Sequence, residues 1–146
     1  MKHIVITGTS RGMGYEMVKL FAEKGYKVLA LSRNDKPVSE LNLENVTAIS
    51  CDISKAEDLE KVSAFVETKW KQVDVLINNA GTLINKDFEK ISAEEFQQIY
   101  STNVFGVIGL TQKMLPFMKK DAHVVNISTM GGVQGSVKFP GLSAYS

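Results

Sequence analysis

The 146-residue sequence has one cysteine, three prolines and almost no net charge. The single cysteine, Cys51, excludes an internal disulfide and is compatible with a reducing compartment. It lies in an apolar stretch, which favours a buried thiol over a nucleophile. No apolar run reaches the roughly 20 residues that a membrane-spanning helix needs. A formal charge of +1 gives no reason to expect a nucleic-acid or membrane partner.

The sequence also lacks internal repeats and low-complexity segments. A strand-like pattern begins at residue 2 and leaves no room for a signal peptide. The content of 44% hydrophobic and 23% charged residues is ordinary for a globular domain of this length. We therefore expect one domain over residues 1–146 in a cytoplasmic protein.

Strand-like and helix-like segments alternate along the chain. Strands are predicted at residues 2–7, 26–32, 46–51, 73–78 and 122–128. Helices are predicted at 12–24, with Gly25 after the end, and for one turn near Pro37. Two more are predicted after the capping boxes 54–57 and 92–95, and the second of these is expected to bend or stop near Pro116. This alternation predicts an α/β fold with a parallel sheet, helices on both faces and a ligand at the carboxyl edge of the strands.

Two of these helices show an apolar face. In the first, Met13, Met17, Leu20 and Phe21 follow helical spacing. In the helix after residue 54, the residues expected to be buried are Leu59, Val62, Phe65 and Val66.

Residues 7–14 read Thr-Gly-Thr-Ser-Arg-Gly-Met-Gly, between a predicted strand and a predicted helix. Gly8 permits a tight turn, and Gly12 and Gly14 lack the Cβ atoms that would keep a pyrophosphate from the backbone and the helix from the sheet. The unpaired N–H groups and the dipole of a helix N-terminus favour an anion there. No Gly-Lys-Ser/Thr follows, so the turn is not a P-loop. The alternative is a tight loop without a ligand.

Three further motifs follow the glycine turn. They are Asn-Asn-Ala-Gly at residues 78–81, Asn103 within Ser-Thr-Asn-Val-Phe-Gly, and Asn-Ile-Ser-Thr at 126–129 followed by Tyr145. With these four motifs in order, the chain resembles the N-terminal part of a short-chain dehydrogenase/reductase. The resemblance implies a Rossmann-type doubly wound parallel sheet in three α/β/α layers, with strand order 3-2-1-4-5. It also implies hydride transfer between a nicotinamide cofactor and a carbonyl or alcohol.

The resemblance assigns cofactor contacts to residues around the glycine turn and at later strand ends. These are Gly8, Ser10, Arg11, Gly12, Met13, Gly14, Ser32, Arg33, Asp52, Ile53, Asn79, Ala80 and Gly81. Within this set, Asp52 is expected to contact the adenine ring, and the Asn-Asn-Ala-Gly motif to line the ribose. Each has a simpler interpretation, since Asp52 could merely precede a helix cap and the motif could be a turn.

Charge at the end of the second strand favours NADP over NAD. NAD-binding relatives place an acid there for the ribose 2′-OH, whereas this strand ends with Ser32, Arg33 and an asparagine, and Asp35 comes later. Arg33 and Arg11 can both approach a 2′-phosphate, together with the hydroxyl of Ser32 or Ser10. The alternative is that Arg33 is a solvated surface residue.

The resemblance also implies the catalytic residues. Tyr145 is the expected general acid, and it needs a cation to lower its pKa, which the family supplies as a lysine four residues later. The sequence ends at Ser146, before that position. The substrate oxygen is expected to contact Thr129, with Ser128 as the other candidate, because only one of these neighbours can face the site. Asn103 is expected to open its helix locally and order a water, unless it is simply an exposed polar residue.

Two functions therefore remain open. One is an NADP(H)-dependent oxidoreductase acting on a small carbonyl or alcohol, with no metal site, and forming a homodimer or homotetramer partly through the helix after Ser92. The other is a dinucleotide-binding fragment or module without catalysis. The lysine of the family motif, which this sequence does not include, is the feature that discriminates between them.

Overall fold

The computed structural model describes residues 1–82, 84 and 86–128. In this part of the chain, five parallel strands form one sheet in the order β3-β2-β1-β4-β5. The strands are β1 (His3–Thr7), β2 (Lys27–Ser32), β3 (Val46–Ser50), β4 (Val75–Asn78) and β5 (His123–Asn126). The predicted order is confirmed, and every strand is one to three residues shorter than predicted.

Helices follow the strands as the alternation predicts. They are α1 (Gly12–Glu23), α2 (Lys36–Ser39), α3 (Ala56–Phe65), α4 (Ala93–Tyr100) and α5 (Val107–Met114). A π-helical turn, Val66–Trp70, extends α3, and a π-helical segment, Ser101–Gly106, joins α4 to α5. Short 3-10 turns cover Phe88–Lys90 and Leu115–Phe117. The second of these contains Pro116 and ends the long helix where the sequence predicts a bend or a stop.

Each face of the sheet has its own apolar core. On one face, strand residues such as Leu29 and Leu76 pack with α3 and α5 residues such as Val62 and Leu110. On the other face, strand residues such as Ile4 pack with α1 and α2. The α/β/α layering is therefore confirmed, because alternate residues of β1 to β4 face opposite helical layers.

The apolar face predicted for α1 is partly wrong. Met13 and Leu20 are 59% and 48% exposed, whereas the buried residues of α1 are Gly14, Val18 and Ala22. These three lie four residues apart and are small, so α1 can approach the sheet closely. The face predicted from the spacing of large apolar residues is therefore rotated away from the face that packs on the sheet.

The end of α1 follows the prediction for Gly25. Its φ is +87°, in the left-handed region that favours glycine. Its N–H donates to the Ala22 carbonyl, and the Tyr26 N–H donates to the Phe21 carbonyl, both at 3.0 Å. The Phe21 and Tyr26 rings stack at 5.6 Å, which completes a Schellman end.

The two predicted capping boxes have different outcomes. The Ser92 hydroxyl accepts from the Glu95 N–H, and the Glu95 carboxylate accepts from the Ser92 N–H, so this box is confirmed. The box at residues 54–57 is wrong, because Lys55 is the N-cap of α3. Ser54 instead donates both its hydroxyl and its N–H to Oδ1 of Asp52, at 2.6 and 3.0 Å.

The burial predicted for α3 and its extension is largely confirmed. Leu59, Val62 and Val66 are buried, and Phe65 is half-buried against the same core. Within the described residues, no helix combines the length and apolar character needed to cross a lipid bilayer.

A polar cluster lies at the amino edge of the sheet, where β1 and β4 begin. The His3 N–H donates to Oδ2 of Asp74 at 2.8 Å, and the Gln72 amide donates to both Asp74 oxygens. The His3 ring lies 4.7 Å from the Trp70 ring, and its buried Nδ1 has no hydrogen-bond partner within the described chain. Burial lowers the pKa of His3 from its usual 6.5, although the Asp74 carboxylate acts in the opposite direction.

We expect this histidine to make the fold less stable in mild acid. Its pKa is lowered on folding, so the unfolded chain binds the proton more tightly, and stability falls as pH drops below 6.5. Urea unfolding at about pH 7 and about pH 5 should therefore show a larger loss for the wild type than for His3→Gln. The His123→Gln variant, on exposed β5, is the control and should keep the wild-type loss. A His3→Gln variant with an unchanged loss would contradict this account.

Candidate functional site

An open cavity of about 550 Å³ lies at the carboxyl ends of β1 to β4. It is lined by Thr7, Gly8, Ser10, Arg11, Gly12, Leu31, Ser32, Arg33, Asn34, Cys51, Asp52, Ile53, Asn79, Ala80, Gly81 and Thr102. Eleven of the thirteen predicted cofactor residues are in this set, and the exceptions are Met13 and Gly14. The carboxyl edge of a doubly wound sheet is the expected position for a ligand.

The glycine turn is shaped by close backbone contacts. Gly8 has a φ of +68°, and a Cβ there would lie 2.8 Å from the Cα of Ala80. A Cβ on Gly14 would lie 2.1 Å from the Gly8 carbonyl oxygen and 2.6 Å from Nδ2 of Asn79. Gly14 thus lets α1 begin directly against the turn, which explains why it is needed although it does not line the cavity.

Gly12 has a different role. Its φ is +62°, and apart from its chain neighbours and the nearby helix backbone, no atom of the described residues lies within 4 Å of the position a Cβ would take. Because Gly12 also lines the cavity, a side chain there would occupy open space at the start of α1. The N-cap residue, Arg11, makes no side-chain hydrogen bond to the first turn. The start of α1 therefore offers backbone N–H groups to an anion in the cavity.

Thr7 joins the glycine turn to the end of β4. Its buried Oγ1 accepts from the Asn79 N–H at 2.9 Å and from the Ala80 N–H at 2.8 Å. In return, the Asn79 side chain donates to the Gly8 carbonyl at 3.1 Å. Sequence reasoning did not assign a role to Thr7, although its position at the head of the glycine motif was a usable signal. These contacts tie the end of β1 and the glycine turn to the end of β4.

Thr9 fixes the turn to β2. Its N–H and its hydroxyl both approach the Leu31 carbonyl, at 3.4 and 3.2 Å, and the residue is fully buried. With Thr7 and Thr9 bonded on opposite sides, the turn is held between β4 and β2 before any ligand binds. Leu31 was also not predicted as a lining residue.

The two arginines of the sequence, Arg11 and Arg33, both line the cavity and both are exposed. Arg33 directly follows β2, and Arg11 belongs to the glycine turn. The nearby acid, Asp35, is the N-cap residue of α2 and is not one of the lining residues. The rim of the cavity beside β2 therefore carries positive charge.

The two candidate hydroxyls near these arginines differ in their hydrogen bonding. Ser32 is buried, and its hydroxyl donates to the Asn34 carbonyl at 2.7 Å. Its hydrogen is already used, so Ser32 is poorly suited to donate to a phosphate. Ser10 is half-buried and also lines the cavity, and it is the better donor of the pair.

Asp52 is held in place by its neighbours. Its N–H donates to Oδ2 of Asp58 at 2.8 Å, while its Oδ1 accepts both hydrogen bonds from Ser54. Burial alone would raise the pKa of Asp52, but the Ser54 hydrogen bonds and the charges of Lys55 and Arg33 hold it below its usual 3.8. Asp52 is therefore an anchored carboxylate at the cavity wall.

Ile53 and Cys51 flank Asp52 and form the apolar part of this wall. Ile53 is buried, and a Cβ on Gly106 would lie 2.8 Å from its Cγ1. Cys51 is 3% exposed, and burial raises the pKa of its thiol to about 11. The predicted burial of this thiol is confirmed, although Cys51 was not expected to border the site.

Asn103 lies in the middle of the π-helical segment, where the sequence predicts a local opening of the helix. Its Oδ1 accepts from the Thr82 N–H at 2.9 Å, and its Nδ2 donates to the Thr82 carbonyl at 3.2 Å. The asparagine thus binds the backbone just after the Asn-Asn-Ala-Gly motif. Thr102, which was not predicted, precedes it and lines the cavity.

A second polar contact positions the end of β5. The buried Asn78 side chain donates to Oδ1 of Asn126 at 2.8 Å and to Oγ1 of Thr111 at 3.3 Å. The Asn78 carbonyl also accepts from the Ile127 N–H at 3.0 Å. Ser128, one residue later, is exposed beyond this anchored strand end.

The other two predicted catalytic residues, Thr129 and Tyr145, lie outside the described residues. The choice between Ser128 and Thr129 therefore stays a prediction.

The comparisons with known proteins agree with this geometry. The family model described as short chain dehydrogenase matches residues 2–146. An uncharacterized oxidoreductase from Staphylococcus saprophyticus is 34% identical over 99% of this chain and 60% of its own length. An NADP-dependent 3-hydroxy acid dehydrogenase from Salmonella typhi is 30% identical over 97% of this chain and 58% of its own length.

A solved structure gives the same result. A 3-ketoacyl-(acyl-carrier-protein) reductase from Brucella melitensis, complexed with NADH, has a TM-score of 0.87 and 31% identity over 99% of this chain and 62% of its own. The chain thus spans about three fifths of the length of these relatives. Because the family model matches nearly the whole of this chain, the chain belongs to the short-chain dehydrogenase family.

Proposed function

We propose that this chain is the NADP(H)-binding Rossmann domain, residues 1–146, of an oxidoreductase that transfers a hydride between nicotinamide and a carbonyl or alcohol. The observation that carries the proposal is the cavity at the carboxyl edge of the sheet. It gathers the glycine turn, both arginines, Asp52 and the residues after β4. The named dehydrogenases and reductases among the relatives support the same reaction class.

The residues of the cavity fit a dinucleotide. The start of α1 offers N–H groups to the pyrophosphate, and Gly12 leaves space there for it. Asp52 and Ile53 would flank the adenine, while Asn79, Ala80 and Gly81 would line the ribose on the nicotinamide side. Ser10, Arg11 and Met13 would complete the turn around the phosphates.

NADP is the proposed cofactor, with NAD the less favoured alternative. Arg33 and Arg11 present two cations at the rim, where a 2′-phosphate adds negative charge. No acid lines this part of the cavity among the described residues, apart from the anchored Asp52. One relative is named as NADP-dependent and one solved neighbour contains NADH, so both cofactors occur among similar proteins.

For the chemical step, the nicotinamide when bound supplies or accepts the hydride. Tyr145 would donate a proton to the substrate oxygen, with the help of a lysine four residues later. The hydroxyl of Thr129 or Ser128 would donate a hydrogen bond to the same oxygen. Asn103 would hold a water for proton delivery, from the π-helical segment that its contacts with Thr82 support.

We further propose a cytoplasmic protein that forms a homodimer or homotetramer. The helix after Ser92 carries exposed apolar residues: Tyr100 is 44% exposed, Phe105 66% and Ile108 47%. Large apolar residues exposed in this way are typical of a surface that another subunit covers. The small-molecule substrate is a carbonyl or alcohol of unspecified structure. A binding module without catalysis is the disfavoured alternative, because the named relatives are enzymes.

The test is turnover by the whole protein that contains this chain. Loss of NADPH absorbance should accompany reduction of members of a panel of aliphatic and aromatic aldehydes and ketones, and NADH should be a poorer substrate. Saturable NADPH binding without any turnover over the whole panel would favour the module. Absence of NADPH binding would contradict the proposal itself.

A further inference from the structure

A second cavity continues the first along α4. It has a volume of about 640 Å³ and lies between the loop after β3 and the helix α4. Three residues, Arg33, Asp52 and Thr102, line both cavities. The two spaces are therefore parts of one groove, which passes from the glycine turn to α4.

The added part of the groove has polar walls. Besides the shared residues, it is lined by Ser54, Thr82, Glu94, Gln97, Gln98 and Ser101. These six side chains carry hydroxyl, carboxamide or carboxylate groups, and no large apolar side chain of the described residues lines this space. Such walls suit a ligand with hydrogen-bonding groups on its edge.

The proposed cofactor places its adenine in the shared stretch of the groove. The 2′-phosphate and the adenine are attached to the same ribose. If Arg33 binds this phosphate, the adenine therefore lies close to Arg33. Asp52 then forms one wall and Thr102 the other. Oδ1 of Asp52 already accepts two hydrogen bonds from Ser54, so part of this carboxylate is committed to its own loop.

We infer that the carboxamide of Gln98, from the opposite wall, recognises the amino edge of the adenine. This inference rests on the proposed function. A glutamine carboxamide has one acceptor and one donor side by side, which match the 6-amino group and N7 of adenine.

The position of Gln98 in α4 makes it the better candidate than Gln97 for this contact with adenine. Gln98 precedes Thr102, which lines both cavities, by four residues, whereas Gln97 precedes Ser101, which lines only the second.

The experiment compares NADPH with its hypoxanthine analogue, in which a carbonyl oxygen replaces the 6-amino group. Calorimetric titration should show that the wild type binds NADPH about tenfold more tightly than the analogue. In Gln98→Met, which keeps side-chain length and helix propensity, this ratio should fall to within about twofold of one. NADPH affinity should fall, and analogue affinity should stay near that of the wild type.

Two matched variants serve as controls. Gln97→Met alters the neighbouring groove residue, and Gln112→Met alters an exposed glutamine on α5 outside the groove. Both should keep the wild-type ratio.

An unchanged ratio in Gln98→Met would overturn the inference, as would loss of the ratio in Gln97→Met alone. A wild type that binds NADPH and the analogue equally would overturn it while leaving the proposed function intact. A wild type that binds neither would contradict the proposed function, and the inference with it.

Discussion

Replacing Gly14 by alanine is expected to lower the free energy of unfolding by about 3 kcal/mol or more. Helix propensity alone predicts the opposite sign, since alanine is favoured over glycine inside a helix by about 1 kcal/mol. The added Cβ, however, would lie 2.1 Å from the Gly8 carbonyl oxygen, which is backbone and is fixed by Asn79. The helix or the turn must move, and both are held by buried contacts.

Gly109→Ala is the matched control for this prediction. Gly109 also lies inside a helix, but its added Cβ would meet only the terminal Cδ1 of Leu59, at 2.9 Å. A flexible side-chain end can shift, so stability should stay within about 1 kcal/mol of the wild type. Chemical denaturation of both variants measures the difference. Gly14→Ala with wild-type stability would show that α1 does not need its close approach to the turn.

Replacing Arg33 by alanine is expected to weaken NADPH binding about 30- to 100-fold, which is the usual effect of losing hydrogen bonds to a charged group. NADH lacks the 2′-phosphate, so its affinity should change much less. The guanidinium follows β2 directly and lines the groove. Fluorescence titration with NADPH and with NADH measures the ratio of wild-type to variant affinity for each cofactor.

Lys24→Ala is the control for charge alone. Lys24 is an exposed cation at the C-terminal end of α1, away from the groove, and its removal lowers the net charge by the same amount. It should leave both affinities near wild type. Equal losses for NADPH and NADH in Arg33→Ala would show that Arg33 does not bind the 2′-phosphate.

Much of the fold could be read from the sequence because its signals are local. Runs of β-branched residues, the glycine turn and Gly25 each fix a backbone conformation within a few residues, and the structure has them where expected. The local opening around Asn103 followed from the resemblance to a family. The parts of the site that depend on local motifs could therefore be predicted from the sequence.

The remaining errors come from contacts between distant or competing groups. The two capping boxes read alike as Ser-x-x-Glu, yet Ser54 is bound by Asp52 two residues before it, and the helix begins later. The role of Thr7 depends on backbone groups more than 70 residues away, at Asn79 and Ala80. Which face of α1 is buried depends on how closely the helix packs against the sheet. The positions of its large apolar residues do not indicate that distance.

The most direct test of the central claim, that the groove holds NADP(H), is a titration of this chain with NADPH followed by amide resonances. The account predicts saturable shifts of the Gly8 and Gly12 amides, at a lower concentration of NADPH than of NADH, with little change at Gly25. Amides of the glycine turn that stay unshifted at millimolar NADPH, or that respond equally to both cofactors, would contradict it.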